Sequence, residues 1–208
     1  MRSTAKKRKS NLAKLNRILK AYDITIPLRI AFFLGEVAHE SAFGSRTLEK
    51  YNGSSPETYF NKKYSNNYKN LLNKDGNAGE LFRGSGYLHI TGRYNYQKFA
   101  DYIGNQSIMK DGYRLIGGVY NKPLSKIKPG ELGVIDIGKY AWEASGWFWK
   151  FNSEGKNLNK LADSKDYQGV LDVVNQVNQG DKGSTLIRNS HINDMYKILT
   201  GKELGLPE

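Results

Sequence analysis

The chain contains no cysteine. That excludes disulfides, thiolate metal sites and a cysteine nucleophile. Histidine is scarce and scattered: His39, His89 and His191 are the whole supply. A three-histidine metal site would need all of them, so neither a metal nor another cofactor is expected. No apolar run approaches the roughly 18 residues of a membrane span, so no transmembrane segment is expected. Repeats and low-complexity linkers are absent as well. The N-terminus is basic but lacks the apolar stretch of roughly 7–15 residues and the small-residue cleavage site of a secretory signal.

What remains is ample for one folded domain. The chain has 208 residues, 38% of them hydrophobic, and a mean hydropathy of −0.64. At this length a single core can form without covalent staples. The division expected is a basic N-terminal segment and helix over 1–22, then one domain over 23–208, with the chain monomeric.

The formal net charge is +12. Arg2, Lys6, Lys7, Arg8, Lys9, Lys14, Arg17 and Lys20 all fall in the first twenty residues, where there is no acid; without those eight the rest carries about +4. Such a patch attracts polyanions: nucleic acid, anionic lipid, teichoic acid or a peptidoglycan envelope. A solvated helix face is the plainer alternative. No nucleic-acid recognition motif accompanies the charge, so nucleic acid is not expected as a partner.

Hydrophobic spacing places the elements. Residues 1–9 read as frayed, and Asn11–Tyr22 as a basic helix with Leu12, Leu15, Ile18 and Leu19 on one face. Pro27 suits the first turn of the next helix. There Ile30, Phe33, Leu34, Val37 and Ala38 recur at helical spacing and predict a buried face. Residues 50–80 are polar and tyrosine-rich, with a short helix over Glu57–Tyr64. Tyr87–Thr91 alternates as a strand would and suggests a hairpin. Helices follow over Tyr94–Tyr102, within Gly133–Phe151, from Val170 to Gln176, and over Ser184–Thr200. Pro123 and Pro129 bound an irregular stretch. The fold class is mainly α with a small β-hairpin.

Two segments stand out chemically. Glu40 follows an apolar helix face, where partial desolvation favours a protonated carboxyl. Glu36 lies one turn earlier on the same face, and its charge would add to that effect. A carboxylic acid still protonated near neutral pH can serve as a general acid. Two ordinary surface glutamates are the alternative. The zinc-protease pattern H-E-x-x-H fails, because Phe43 occupies its last position. The second segment is Gly84-Ser85-Gly86-Tyr87-Leu88-His89-Ile90-Thr91-Gly92. It has neither the third glycine of a dinucleotide loop nor the Lys-Ser/Thr pair of a P-loop. Its glycines fit a tight turn or a close backbone approach.

Together these segments resemble a family. Ala38-His39-Glu40-Ser41 followed by Phe43 resembles the stretch around the catalytic acid of glycoside hydrolase family 19, the chitinase and phage-endolysin type. Arg83 to Tyr96 (RGSGYLHITGRYNY) resembles that family's R-G-R-G-x-I-Q-L-T-G-R-x-N-Y stretch. Val177–Gly183 resembles its I-N-G-G-x-x-G turn, which an arginine follows, here Arg188. Trp147-Phe148-Trp149 resembles an aromatic run of the family. The likeness covers residues 28–200.

The resemblance implies a lysozyme-like, two-lobed helical fold with its hairpin beside a substrate cleft. It implies Glu40 as proton donor, Glu49 as general base on a water, and Thr91 as the hydroxyl that helps hold that water. It places Tyr87 and His89 along the cleft floor. Asn95, Asn178 and Arg188 would line the cleft or fix the carboxylates. Glu57 and Glu80 are the fallback bases. The family inverts, which implies carboxyls roughly 6.5–9.5 Å apart. Four positions depart from its pattern. Ser85 replaces an arginine, His89 a glutamine, and Ala42 and Gln179 each a glycine. Retuned specificity is the simpler consequence, and a silent sugar-binding module the other.

The implied substrate is a β-1,4-linked amino-sugar polymer. Peptidoglycan suits the basic N-terminus, which would hold the protein on an anionic envelope; nearly neutral chitin is the alternative. The protein would then be made in the cytoplasm without a signal peptide and be delivered to the cell wall by another system.

Overall fold

The computed structural model describes residues 2–51, 55–64, 79–120, 134–152, 155–175 and 182–208. The chain is mainly α, with one small two-stranded sheet among the described residues. It divides into two compact units. One comprises Met1–His39 with Trp149–Glu208, the other Glu40–Phe148.

In the first unit, α1 spans Arg2–Ala21. The fraying expected over residues 1–9 is not seen over 2–9; no glycine or proline interrupts the run, so the helix extends to Arg2. Ile18 and Tyr22 are buried at its end, and Leu12 lies at the surface. α2, Pro27–Glu40, starts at the proline whose fixed φ suits a first turn. Its buried set is wider than the expected stripe: Ala31, Phe32, Phe33, Gly35, Glu36, Val37 and Ala38. Phe33 meets Trp149 edge to face, with centroids 5.4 Å apart, a favoured aromatic geometry.

α7 (Leu158–Asp163) and α8 (Tyr167–Val174) follow in the same unit. The Asp166 carboxylate caps α8 by accepting from the Gly169 N–H at 2.9 Å. α9 runs Lys182–Thr200. It approaches α2 so closely at Gly35 that any side chain there would strike Ile192, backbone included. Arg29 on α2 clamps Asp163 with two hydrogen bonds, 2.8 and 2.7 Å, and also holds Asp23.

The second unit holds α3 (Pro56–Tyr64), α4 (Arg93–Ile103), α5 (Ile108–Gly112), a π-helical turn over Tyr113–Gly117, and two strands. β1 (Gly118–Tyr120) and β2 (Val134–Ile137) pair antiparallel, with Gly118 opposite Ile137. The hairpin is therefore not where the alternation at Tyr87–Thr91 suggested. That segment is a turn closed by a single bridge, Ser85 to Ile90. His89 at φ +48° and Gly86 at +82° are incompatible with an extended strand. Residues 134–137, expected within a helical segment, form β2, which the β-branched Val134, Ile135 and Ile137 favour. The helix there is shorter, α6 (Ala141–Phe151), with Trp142 and Trp147 buried in this unit. Pro123 and Pro129 lie outside the described residues.

Candidate active site

Glu40, Glu49, Tyr87, His89, Thr91 and Asn95 all belong to the second unit. α2 ends at Glu40 because the next residues leave helical space. Ala42 (φ +46°), Phe43 (+57°) and Gly44 (+78°) turn the chain left-handed. The Ser41 hydroxyl accepts the Gly44 N–H at 2.8 Å. Arg46 N–H then bonds back to the Ser41 carbonyl at 2.8 Å. The Ala42 finding supplies a physical reason why a glycine suits that position.

Glu49 follows a bridge between Leu48 and Ser85. Its N–H bonds the Gly84 carbonyl at 2.8 Å. Three donors converge on its carboxylate: Lys63 Nζ at 2.5 Å on Oε1, and Tyr64 Oη at 2.5 Å and Gly84 N–H at 3.0 Å on Oε2. A carboxylate offers about four lone-pair directions. Three are engaged by these donors, and the side chain keeps 15% exposure. Burial, with the adjacent Glu49 charge, pushes the Tyr64 phenol well above the ordinary tyrosine range. Tyr64 therefore stays a donor at any physiological pH.

The 84–91 turn brings the two carboxylates into one row. His89 Nδ1 lies 3.6 Å from Glu40 Oε2, and its Nε2 lies 3.1 Å from the Arg46 carbonyl oxygen. Gly84 is wedged on the other side. A Cβ there would sit 3.1 Å from both Glu49 Oε2 and His89 Cβ. The order is thus Glu40, His89, Gly84, Glu49, Lys63. Thr91 Oγ1 donates to the His89 carbonyl at 2.7 Å, and Asn95 Nδ2 to the Thr91 carbonyl at 2.9 Å. Asn95 Oδ1 is buried with no hydrogen-bond partner among the described residues. From α6, the Ser145 hydroxyl accepts the N–H groups of Tyr87 (3.0 Å) and Leu88 (3.2 Å) and donates to the Ala141 carbonyl.

Other expected residues are placed differently. Tyr87 is 1% exposed and its ring stacks on Trp142, with centroids 3.7 Å apart; as placed it has no surface to offer a sugar. Arg188, in the first unit, is equally buried. It pairs with Glu36, and its Nε donates to Ser184 Oγ at 3.3 Å. The charge of Glu36 is therefore paired with a cation. Asn178 lies outside the described residues, as does most of the turn around it. Of the fallback bases, Glu57 is exposed on α3, and Glu80 lies 3.5 Å from Arg83. No cluster of metal-ligating side chains occurs among the described residues, and no helix among them is long and apolar enough to cross a membrane.

Sequence reasoning did not reach Lys63, Tyr64, the Arg46 carbonyl or Ser145. Lys63 and Tyr64 share the last turn of α3, a placement that one-dimensional spacing could have offered. Their convergence on Glu49 needs the fold.

No family model matches the chain. Its fold is similar to that of chitinase C from Streptomyces griseus HUT6037, at 16% identity and TM-score 0.59, covering 93% of this chain and 71% of that one. It is also similar to a crystal structure of a chitinase C variant with one glutamate-to-glutamine change. There the identity is 16% and the TM-score 0.57, with 93% and 86% covered. At such identity the likeness establishes the fold.

Proposed function

We propose that the protein is a glycoside hydrolase that cleaves β-1,4 bonds of an amino-sugar polymer by acid/base catalysis with inversion. The observation that carries this reading is the row Glu40–His89–Gly84–Glu49, in which one glycine and one imidazole separate two carboxyl groups. Such a pair suits protonation of a leaving oxygen on one side and activation of water on the other.

In this reading Glu40 gives its proton to the glycosidic oxygen as the bond to the anomeric carbon breaks. A water attacks that carbon from the opposite face and loses its proton to Glu49. Lys63, Tyr64 and the Gly84 N–H keep the Glu49 carboxylate in one orientation. Thr91 spends its hydroxyl proton on the His89 carbonyl, so it offers lone pairs and would accept a hydrogen bond from the water. Asn95 holds the Thr91 backbone. Asn178 would line the sugar cleft, and Arg188 would act by holding Glu36. No cofactor enters the reaction.

Peptidoglycan is the substrate the charge favours. The first twenty residues hold eight cations and no anion, and an anionic wall would retain them. Chitin is the second reading, favoured by the fold shared with a chitinase.

The test is lysis of purified peptidoglycan and of chitin oligomers by the wild type and by Glu40→Gln, with mass analysis of the products. New reducing ends from the wild type alone support the reading and reveal the sugar at the cut. Intact polymers in every arm would overturn it in favour of a sugar-binding module.

A further inference from the structure

The turn that carries His89 fixes more than its position. A carbonyl oxygen only accepts, so the 3.1 Å contact with Arg46 requires the proton on Nε2. In the neutral ring Nδ1 is then a bare lone pair, and it faces Glu40 Oε2 at 3.6 Å. A lone pair facing an ionised carboxylate is repulsive. The arrangement is favourable only when one proton sits on the pair, either on Glu40 or on Nδ1. We propose that His89, held as the Nε2–H tautomer by the Arg46 carbonyl, is a positioning residue that keeps one proton in common with Glu40. This rests on the reading of Glu40 as proton donor.

Several features make the pair more than a chance contact. His89 holds a left-handed φ of +48°, uncommon for residues other than glycine and best tolerated by asparagine, aspartate and histidine. The Ser145 hydroxyl and the Ser85–Ile90 bridge hold the turn in place. Both side chains are largely enclosed, at 16% and 17% exposure, so water screens them only partly. Among the described residues, the charged and titratable groups around the ring are few. Glu40 faces Nδ1. Glu49 lies across Gly84 with Lys63 and Tyr64 upon it. Arg46 contributes its carbonyl while its side chain is exposed.

The consequence concerns how the acid is kept loaded. Two coupled groups release their last proton as a unit. The pair holds that proton to higher pH than Glu40 would alone, whichever atom carries it. Each hydrolytic cycle leaves Glu40 one proton short and Glu49 one over. The shared proton is the one that Glu40 donates, so the emptied pair takes its next proton from water, to which Glu49 gives up the one it gained.

The experiment is long-range proton–nitrogen NMR of the imidazoles across a pH series, in the wild type and Glu40→Gln, paired with pH–rate profiles of the wild type and His89→Asn. Only three histidines need assignment, and asparagine tolerates the left-handed backbone. The expected wild-type spectrum is the Nε2–H tautomer. In Glu40→Gln the ring should take up its second proton at a pH lower by about one unit. In His89→Asn the alkaline limb of kcat should move to lower pH by about one unit, with KM little changed. An Nδ1–H tautomer, or an imidazole titration indifferent to Glu40→Gln, would overturn the proposal even if hydrolysis is robust. Coupling by NMR without any hydrolysis would support the shared proton and sink the glycosidase reading instead.

Discussion

Glu36 and Arg188, on α2 and α9, form an ion pair whose side chains are only 3% and 4% exposed. A charge so enclosed is tolerable only with its partner. Glu36→Ala leaves a buried guanidinium and should lower stability by about 3–5 kcal/mol, a large part of what a domain has. Urea unfolding measures it. A loss below about 1 kcal/mol would mean that water reaches Arg188 once Glu36 is gone.

Ala42 carries its Cβ in left-handed space, at φ +46°. Glycine adopts that conformation without the steric cost. Ala42→Gly should therefore stabilise the fold, by about 0.5–1 kcal/mol after the greater freedom of the unfolded chain is counted. Elsewhere in an ordinary turn the same change would destabilise. A lower melting temperature for the variant would show that residue 42 relaxes in solution.

Gly84→Ala tests the row of candidate catalytic groups. Residue 84 has an ordinary backbone, but its new methyl would press at 3.1 Å on both Glu49 Oε2 and His89 Cβ. The neighbours must give by a few tenths of an ångström, less than the roughly 1 Å misplacement that costs on the order of 100-fold in rate. The expected result is a fall in kcat of about 10-fold with a loss of stability of about 1 kcal/mol. Full hydrolysis with Gly84→Ala would detach Glu49 from the chemistry.

Acid should loosen the clamp between α2 and α7. The hydrogen bonds from Arg29 hold the Asp163 carboxyl below the usual aspartate range. A group depressed in the folded state stabilises above its unfolded value of about 3.9, and that stability is lost as pH falls through the folded value. The melting-temperature gap between wild type and Asp163→Asn should thus be full at neutral pH and narrow as pH falls below the usual aspartate range. A gap that persists in acid would assign the effect to packing.

How much of this was legible in the sequence differs from element to element. α2 was readable because Ile30, Phe33, Leu34, Val37 and Ala38 repeat a helical period behind Pro27. Its burial on further sides was not, since Glu36 is paired with Arg188 of α9, 152 residues away. The hairpin was misplaced because Tyr87–Thr91 alternates as a strand would, while Val134–Ile137, the true strand, does not. What separates them is backbone sign: His89 is left-handed while Val134 to Ile137 are extended, and a period of two does not reveal that. Glu40 and Glu49 were singled out through a resemblance. The lysine and tyrosine that orient Glu49 sit in a segment whose polar, tyrosine-rich composition suggested only a loop with one short helix.

The Ser145 hydroxyl reaches from α6 to the consecutive N–H groups of residues 87 and 88, more than fifty positions earlier. The shape of the 84–91 turn is thereby dictated by a helix and not by the turn's own outward side chains. A residue that tolerates the left-handed φ of position 89 can be exchanged there without redrawing the path of the chain beneath it. The fold thus separates inheritance of the scaffold from inheritance of the chemistry, and selection can try new side chains at the row while the backbone stays as it was.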